Sequence, residues 1–234
     1  MKPPVRVRFA PSPTGPLHIG GLRTALLNYL FAKKHNGVFI LRIEDTDQKR
    51  YVEKSEEHIY ESLNWAGLTI DEGPVVGKTG YKQSERGELY KEKISYLINK
   101  KFAYYAFDTQ NELSLLREEC EKNGDKFIYG PKNRKKLRNS ISLGTDKTNE
   151  LLSKGCEYEV RFKIPESTEI ECIDFLKGKI RVQSNSLDDK VLYKSDGTPT
   201  YHFANVVDDL DMKISHVIRG EEWLPSLPLH SLIY

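Results

Sequence analysis

The sequence predicts a doubly wound α/β domain interrupted by a smaller α+β element, and three observations carry this prediction. A short alternating run at 5–9 is followed by a loop rich in glycine and proline and then by a helical pattern. The run "VFILRI" (38–43) is nearly all apolar, as expected of a strand buried on both faces of a parallel sheet. From about residue 108 the alternation of strand and helix stops, which indicates an inserted element.

The elements of the first hundred residues follow in order from their apolar spacing. Val5, Val7 and Phe9 alternate with arginines, which predicts a first strand with one buried face. A helix with its N-terminus at Gly20 or Gly21 follows, and the next strand completes a right-handed crossover unit. Further elements are two helices over 53–66 and 86–100 and a short strand at 102–107.

The later residues predict a different organisation. A polar helix is predicted around 112–122, a basic tract lies at 131–139, and β-like runs lie at 158–165, 178–183 and 190–201. The stretch 202–223 suggests apolar strands ending in polar clusters, as though the first domain resumes. We therefore predict a catalytic domain in two halves, 1–107 and 201–234, and an insertion at 108–200. The apolar helical pattern at 227–234 breaks off without a cap, which we interpret as a fragment of a longer chain.

Composition limits the class of protein. The formal net charge is only +2, so a polyanionic partner must meet a local basic patch. Three widely spaced cysteines without a C-x-x-C pair argue against a disulfide framework and a zinc ribbon, and they favour a reduced cytosol. No run approaches the roughly 18 apolar residues that a membrane span needs, so no membrane partner and a cytoplasmic location are expected.

The stretch "RFAPSPTGPLHIGG" (8–21) carries the strongest chemical signal. Pro11 and Pro13 restrict the loop, and its glycines allow the backbone to approach a bulky ligand closely. The following helix would present its N-terminal N–H groups to phosphate, and His18 can donate to a phosphate oxygen. A tight strand-to-helix connection with an incidental histidine would give the same pattern. The stretch is neither a Walker loop nor a dinucleotide fingerprint.

Five blocks in this order resemble the signature blocks of bacterial-type glutamyl-tRNA synthetases, which are class I aminoacyl-tRNA ligases. They are 8–21, "RIEDTD" (42–47), "YKQSER" (81–86), "SDGTPTYHFANVVDD" (195–209) and "RGEEWL" (219–224). The resemblance covers essentially the whole chain. It implies a Rossmann-type catalytic domain, interrupted by an insertion that binds the tRNA acceptor stem. It also implies that L-glutamate is activated with ATP, accompanied by Mg²⁺, and transferred to tRNA(Glu) by a monomer.

The resemblance assigns residues to the substrate glutamate. Glu44 matches the carboxylate that receives the substrate ammonium, and Arg8 lies where the family uses an arginine against a glutamate carboxylate. The other matching positions are Ser12, Tyr201, Asn205 and Arg219. Asp45 and Asp47 are interpreted as caps of the following segment. For Tyr201 a plain core aromatic remains the alternative.

The resemblance also assigns an ATP site. His18 and Gly20 match the nucleotide motif, in which the histidine stabilises the phosphate charge that builds during adenylate formation. Gly21 stands where the broader class often has a second histidine, a departure common among glutamate-type members. Glu222 matches an ATP contact, and Trp223 and Leu224 match positions beside the adenine. For Trp223 a plain core aromatic remains the alternative.

The basic tract is the predicted tRNA contact. Residues 132–138 carry five positive charges and no acid, which suits an acceptor stem, although a solvated loop is the alternative. The predicted contacts are Lys132, Arg134, Lys135, Lys136 and Arg138. No zinc is expected, because Tyr105 and Phe107 stand where some members have a Cys-x-Cys. Asp208, Asp209 and Asp211 are interpreted as solvated loop residues rather than metal ligands.

Three alternatives remain open from the sequence. A tRNA-modifying paralogue of the glutamyl-queuosine type would share the blocks, and a glutaminyl enzyme would share the Pro/Gly loop. A non-catalytic RNA-binding module could keep the fold. The family's Lys-x-Ser-Lys loop and anticodon-binding region would follow residue 234, so the resemblance implies a catalytically incomplete fragment.

Overall fold

A parallel pair of strands forms the first part of the fold. In the computed structural model, which describes residues 3–47 and 50–234, strand β1 (Arg6–Phe9) pairs with β2 (Val38–Leu41) in parallel. Helix α1 (Ile19–Lys34) connects them, as the predicted crossover requires. Parallel bridges from Ile40 to Glu72 and from Ile43 to Lys82 add two further segments beside β2. The mixed α/β class is confirmed, and β1 with β2 forms a two-stranded parallel sheet.

One apolar core holds these elements together. Val7 on β1 and Phe39 on β2 are fully buried, and they pack with Ala25 of α1 and with Ile59 and Leu63 of the next helix, α2 (Ser55–Trp65). Burial of each large apolar side chain in this core stabilises the fold by roughly 1.5–3 kcal/mol. α2 ends before Gly67, which has a φ of +69° and so takes the left-handed conformation that glycine adopts without strain.

The remaining elements alternate less regularly. The helices are α3 (Gly87–Asn99), α4 (Gln110–Lys122), α5 (Ser140–Ser153), α6 (Tyr201–Asp211) and α7 (Leu227–Ile233). The strands are β3 (Ala103–Ala106), β4 (Glu159–Phe162), β5 (Glu169–Asp174), β6 (Gly178–Gln183) and β7 (Val191–Tyr193). β3, β4 and β7 form an antiparallel sheet in that order, and β5 with β6 forms a hairpin.

The chain divides into two compact units. The first comprises Met1–Tyr90 with Ala204–Leu224, and the second comprises Lys91–Phe203 with Pro225–Tyr234. The parallel pair and α2 belong to the first unit, whereas both antiparallel sheets belong to the second.

Of two later predictions, one is confirmed and one is wrong. The strand predicted at 102–107 exists as β3, and it pairs antiparallel with β4 in the second unit. The stretch after residue 201, predicted as strands, forms helix α6. Residues 203–209 of α6 are all buried, the polar Asn205, Asp208 and Asp209 included, so no alternation of apolar and polar positions marks this stretch as a helix.

The second unit contains a buried ion pair. Arg134 lies with its Nε 3.3 Å from Asp189 Oδ2, and both side chains are almost completely buried. Asp189 also accepts from the Tyr104 hydroxyl at 2.6 Å and from the Ile164 N–H at 3.0 Å. Burial raises the pKa of Asp189 to about 6, against the opposing effect of these partners. The pair therefore holds the β-strands of this unit to the segment around residue 134.

An acid-dependent contribution to stability is expected from Glu72 in the first unit. Its carboxylate accepts from Arg6 Nη1 and Nη2 at 3.1 and 2.8 Å and from the Tyr81 hydroxyl at 2.6 Å. The Arg6 hydrogen bonds, opposed by burial and aided by Tyr81, lower the pKa of Glu72 from 4.5 to about 2. A lowered pKa gives stability that is present above the unfolded value and is lost as the pH falls. We expect the free energy of unfolding to decrease between about pH 4.5 and 2 through this group.

Denaturant unfolding of the unsubstituted chain and Glu72→Gln across pH 2 to 7 measures this contribution. The variant should lose about 2 kcal/mol at pH 7, as for a charge-assisted hydrogen bond, and show a flatter dependence on pH below 4.5. Glu150→Gln is the control, because Glu150 lies exposed between Lys147 and Lys154 on α5, where water screens its ion pairs. Equal slopes for the unsubstituted chain and Glu72→Gln would contradict the assignment.

Candidate active site

The candidate site lies at the carboxyl ends of β1 and β2. Beyond the strands the pairing continues, because the Arg42 N–H donates to the Phe9 carbonyl and the Glu44 N–H to the Pro11 carbonyl, both at 3.0 Å. Residues two apart in extended chain share a face, so Arg42 and Glu44 project to the same side. Arg8 lies on β1, opposite Ile40 of β2. The carboxyl end of a parallel sheet is where α/β proteins bind ligands.

Arg8 is held by an aspartate of helix α6. Its Nε donates to Asp209 Oδ1 at 2.9 Å and its Nη2 to Asp209 Oδ2 at 3.1 Å. Arg8 is 4% exposed and Asp209 is 1% exposed, so the ion pair is almost inaccessible to solvent. A bidentate contact fixes the plane of the guanidinium group as well as its position.

Arg42 lies at the centre of the charged cluster. It is completely buried, donates from Nη1 to Asp209 Oδ1 at 2.6 Å, and donates from Nη2 to Glu44 Oε1 at 3.0 Å. Asn205 of α6 donates to the same Glu44 oxygen at 3.1 Å. Hydrogen bonds therefore join Arg8, Asp209, Arg42, Glu44 and Asn205 in one continuous network.

Asp208, the residue before Asp209 on α6, is a further buried carboxylate of the cluster. Its carboxylate accepts from Arg86 Nε at 2.7 Å, from Gln83 Nε2 at 2.8 Å and from the Tyr90 hydroxyl at 2.9 Å. Arg42 Nε lies 3.6 Å away. The interpretation of Asp208 and Asp209 as solvated loop residues is wrong, because both lie buried in a helix with arginine partners. Asp211 is exposed, as predicted, and bonds Arg86 Nη2 at 2.6 Å at the end of that helix.

The pKa values in the cluster show which carboxylates the arginines stabilise most. Burial opposes the ionisation of Asp209, yet Arg8 and Arg42 together lower its pKa. For Glu44 burial outweighs Arg42, Arg8 and Asn205, and its pKa is raised. Burial alone would lower the pKa of Arg42, but the carboxylates of Asp209, Glu44 and Asp208 raise it. Glu44, unlike Asp209, is therefore a carboxylate whose ionised form an additional cation would favour.

The Pro/Gly loop ends in a capped helix. His18 is the N-cap of α1, and its Nδ1 accepts from the Gly20 N–H at 3.1 Å. Because Nδ1 accepts, a neutral ring carries its hydrogen on Nε2, on an exposed side chain. The Leu17 N–H donates to Nδ1 of His58 on α2 at 3.1 Å, which anchors the loop. Ser12 lies exposed earlier in the loop.

The acidic residues after Glu44 do not cap the next helix. Asp45 accepts from the N–H and the hydroxyl of Ser84 at 2.8 and 2.6 Å, and Asp47 accepts from Arg50 Nε at 2.7 Å. The N-cap of α2 is Lys54, whose side chain makes no capping bond. Asp45 therefore orients its loop by joining it to the segment around residue 84, and α2 begins without a cap from either residue.

The later site residues lie in α6 and after it. Tyr201 begins α6, is half-buried, and packs its ring 6.1 Å from that of His230 within the second unit. In the first unit the Arg219 guanidinium lies 5.9 Å from the centre of the Trp223 ring. Glu222 is exposed and Leu224 is half-buried.

The basic tract is only partly a surface. Lys132, Lys135, Lys136 and Arg138 are exposed. Arg134 is completely buried, and its Nη2 donates to the Ile164 carbonyl. The prediction that Arg134 contacts tRNA is corrected by this position, because a guanidinium enclosed by protein cannot reach a phosphate.

Arg42 and Asp209 were missed as parts of the site, and Asp208 and Arg86 were missed as the buried charges beside it. A signal was present in the sequence, because an arginine inside a buried strand requires a buried carboxylate. The pair Asp208-Asp209 within an apolar stretch is the matching signal.

Within residues 3–47 and 50–234, no group of three or more His, Cys, Asp or Glu side chains is arranged to hold a metal ion. Across the same residues no helix combines the length and apolarity needed to cross a membrane. Cys120, Cys156 and Cys172 are free thiols.

Comparison with known proteins identifies the family of this chain. Residues 4–234 match the family described as tRNA synthetases class I (E and Q), catalytic domain. The glutamate–tRNA ligases of Christiangramia forsetii and Flavobacterium psychrophilum are 57% and 56% identical over the whole chain. The chain spans 47% of each, about half their length.

A solved structure is similar throughout the fold. It is a glutamate tRNA ligase from Elizabethkingia meningosepticum in complex with its amino acid, with a TM-score of 0.95 and 55% identity, and the match covers 98% of this chain and 46% of that one. A match of this extent and identity identifies the fold and the family together. The chain belongs to the class I tRNA synthetases for glutamate and glutamine, and it corresponds to their catalytic domain.

Proposed function

We propose that this chain is the catalytic part of a glutamate–tRNA ligase, which activates L-glutamate with ATP and transfers it to tRNA(Glu). The observation that carries the proposal is that one buried network at the carboxyl end of the sheet contains both Arg8 and Glu44. Glutamate has two carboxylates and one ammonium, so a pocket for it needs fixed groups of both charges. The names of the similar ligases support the same substrate.

Arg8 would bind the side-chain carboxylate of glutamate, because the α-carboxylate is the group that reacts with ATP. Its hydrogen bonds to Asp209 use Nε and Nη2, and among the described residues no partner engages Nη1. Glu44 would receive the substrate ammonium, which fits its raised pKa, because a nearby cation favours the ionised form of a buried carboxylate. The remaining proposed glutamate contacts, by resemblance, are Ser12, Tyr201, Asn205 and Arg219.

ATP would bind at the start of α1. The first N–H groups of a helix and its dipole favour phosphate, and Nε2 of His18 is a donor beside them. Glu222, Trp223 and Leu224 would contact the nucleoside, with the guanidinium of Arg219 stacked over the Trp223 ring. Mg²⁺ would arrive with ATP, held mainly by its phosphates.

The reaction has two steps. An oxygen of the substrate α-carboxylate attacks the α-phosphorus of ATP, and the bond to pyrophosphate breaks, which leaves glutamyl-adenylate. His18 Nε2 would donate to the phosphate oxygens as negative charge builds on them. A hydroxyl of the terminal adenosine of tRNA then attacks the acyl carbon, and AMP leaves with the bonding electrons as the ester forms.

The proposed function includes a division of the chain into a catalytic domain and an insertion that binds tRNA. The parallel pair would belong to a Rossmann-type doubly wound sheet in two halves, 1–107 and 201–234, with an acceptor-stem-binding insertion at 108–200. The exposed Lys132, Lys135, Lys136 and Arg138 would contact the phosphates of the acceptor stem. Full activity would require the longer chain of the similar ligases.

Calorimetric titration with a non-hydrolysable glutamyl-adenylate mimic, and with its glutaminyl counterpart, tests the function. We expect preference for the glutamyl mimic and its loss, by about tenfold or more, in Arg8→Ala, because a buried charged hydrogen bond to the ligand is removed. Arg6→Ala is the matched control, since Arg6 lies on the same strand but binds Glu72 and the Met212 carbonyl. Binding of neither mimic, or equal binding of both, would argue against a glutamate ligase.

A further inference from the structure

The link between the two halves of the amino-acid pocket is a residue that no part of the proposed chemistry uses. Arg8 and Glu44 do not hydrogen-bond to each other, and the path between them runs through Asp209 and Arg42. Asp209 lies between Arg8 and Arg42, with Oδ1 accepting from both guanidinium groups, at 2.9 and 2.6 Å. One buried arginine therefore connects the group proposed for a substrate carboxylate to the group proposed for its ammonium.

Arg42 cannot act on the substrate itself. It is 0% exposed, and its hydrogen bonds end on Asp209, Glu44 and the sulfur of Met212. Its role is therefore to set the position of other side chains. Nη1 and Nη2 lie at a fixed separation in one rigid plane, so the distance between the two carboxylates is set by the guanidinium group.

The surrounding charges require an arginine at this point. The buried carboxylates of Glu44, Asp208 and Asp209 all lie within 4 Å of Arg42 nitrogens, at 3.0, 3.6 and 2.6 Å. Without Arg42, Glu44 and Asp209 would repel each other in a site with little water, and at least one would move or take up a proton. A change at Glu44 would alter a group proposed to contact the substrate, and a change at Asp209 would release the group that holds Arg8.

We infer that Arg42 is a positioning residue for amino-acid recognition, which holds Arg8 through Asp209 and holds Glu44 directly. This inference rests on the proposed function. It predicts that damage to Arg42 weakens recognition at both ends of glutamate, the side-chain carboxylate and the α-ammonium, although Arg42 contacts neither.

Arg42→Lys is the variant of choice, because it keeps the charge and loses the fork that spans two carboxylates. Arg86→Lys is the matched control. Arg86 also lies mostly buried in this cluster, with bonds from Nε to Asp208, from Nη2 to Asp211 and from Nη1 to the Gly80 carbonyl, and none of these reaches Asp209 or Glu44. Each variant therefore removes a guanidinium group that bridges several acceptors, and the two groups bond different members of the same cluster.

The two variants and the unsubstituted chain would be titrated with three adenylate mimics: glutamyl, glutaminyl and des-amino glutamyl. We expect Arg42→Lys to reduce the preference for glutamyl over each of the other two by about tenfold. Arg86→Lys should keep both preferences within about twofold, even where thermal unfolding shows an equal loss of stability. A purely structural role for Arg42 would lower stability without changing either preference, and that result would overturn the inference.

Where Arg42→Lys does not fold, Asp209→Asn breaks the same link while leaving the bond from Arg42 to Glu44. It should reduce the preference for the glutamyl mimic over the glutaminyl mimic. The preference for the glutamyl mimic over the des-amino glutamyl mimic should stay nearer to that of the unsubstituted chain. Unchanged preferences in Asp209→Asn would overturn the inference. Absence of glutamyl preference in the unsubstituted chain would overturn the proposed function, and this inference with it, whereas preference retained in Arg42→Lys would overturn only the inference.

Discussion

Replacement of Asp208 by alanine is expected to lower the free energy of unfolding by about 3–5 kcal/mol, the range for removing one partner of a buried ion pair. Asp208 is 0% exposed and is the shared acceptor for Arg86, Gln83 and Tyr90. Its loss would leave a buried guanidinium with less compensating charge, and the amide and hydroxyl without their acceptor. Each unsatisfied buried group adds a desolvation cost of about 1–3 kcal/mol.

Denaturant unfolding monitored by circular dichroism measures this loss, and Asp211→Ala is its control. Asp211 lies on the same helix and shares the partner Arg86, but its side chain is 51% exposed. Exposed ion pairs contribute about 0–1 kcal/mol, so the control should remain within that range. Similar losses for the two variants would mean that burial of the network does not determine its strength.

Gly37→Ala is expected to cost about 2–3 kcal/mol, within the range for overpacking a close-packed interior. A Cβ at this position would lie 2.4 Å from the Val5 carbonyl oxygen and 2.9 Å from the Val5 Cβ. The next residue, Val38, donates its N–H to the same carbonyl at 2.8 Å, so the contact sits where β2 first meets β1. Backbone atoms cannot rotate aside as a side chain can, and the start of the parallel pair would have to shift.

Gly87→Ala provides the comparison for that substitution. Gly87 begins α3 with helical angles, φ −52° and ψ −42°, and a Cβ there meets nothing within 4 Å. Alanine is favoured over glycine in a helix by up to about 1 kcal/mol, so this variant should be neutral or more stable. Thermal unfolding of both variants separates the steric effect from the general effect of replacing glycine. A neutral Gly37→Ala would show that the strand pair tolerates displacement.

Local signals in the sequence were sufficient for most elements. The helices predicted over 53–66 and 86–100 were found at Ser55–Trp65 and Gly87–Asn99, because spacing of apolar residues at three and four positions reflects one buried helix face. The predicted strand in 38–43 was found at Val38–Leu41. Such patterns depend on neighbours in the chain, which the sequence contains in full.

Partners distant in the chain could not be predicted in the same way. The strand at 102–107 was recognised, but its antiparallel pairing with β4, more than fifty residues later, is a choice among sheets that its own residues do not encode. Arg134 shows the same limit, since six neighbouring residues of basic and polar character indicated a surface, while the fold enclosed this one side chain against Asp189. Burial of a single residue depends on what covers it.

The sequence by itself determined the α/β class, the Pro/Gly loop that leads into α1, and the resemblance through which Arg8, His18 and Glu44 were assigned. Only the tertiary structure decided that Arg8 reaches Asp209 across 201 positions, and that Arg42 joins Asp209 to Glu44. The physical reason is that a charge can be buried only beside an opposite charge. The sequence contains the arginines and the aspartates, but only folding brings them to within 3 Å of each other.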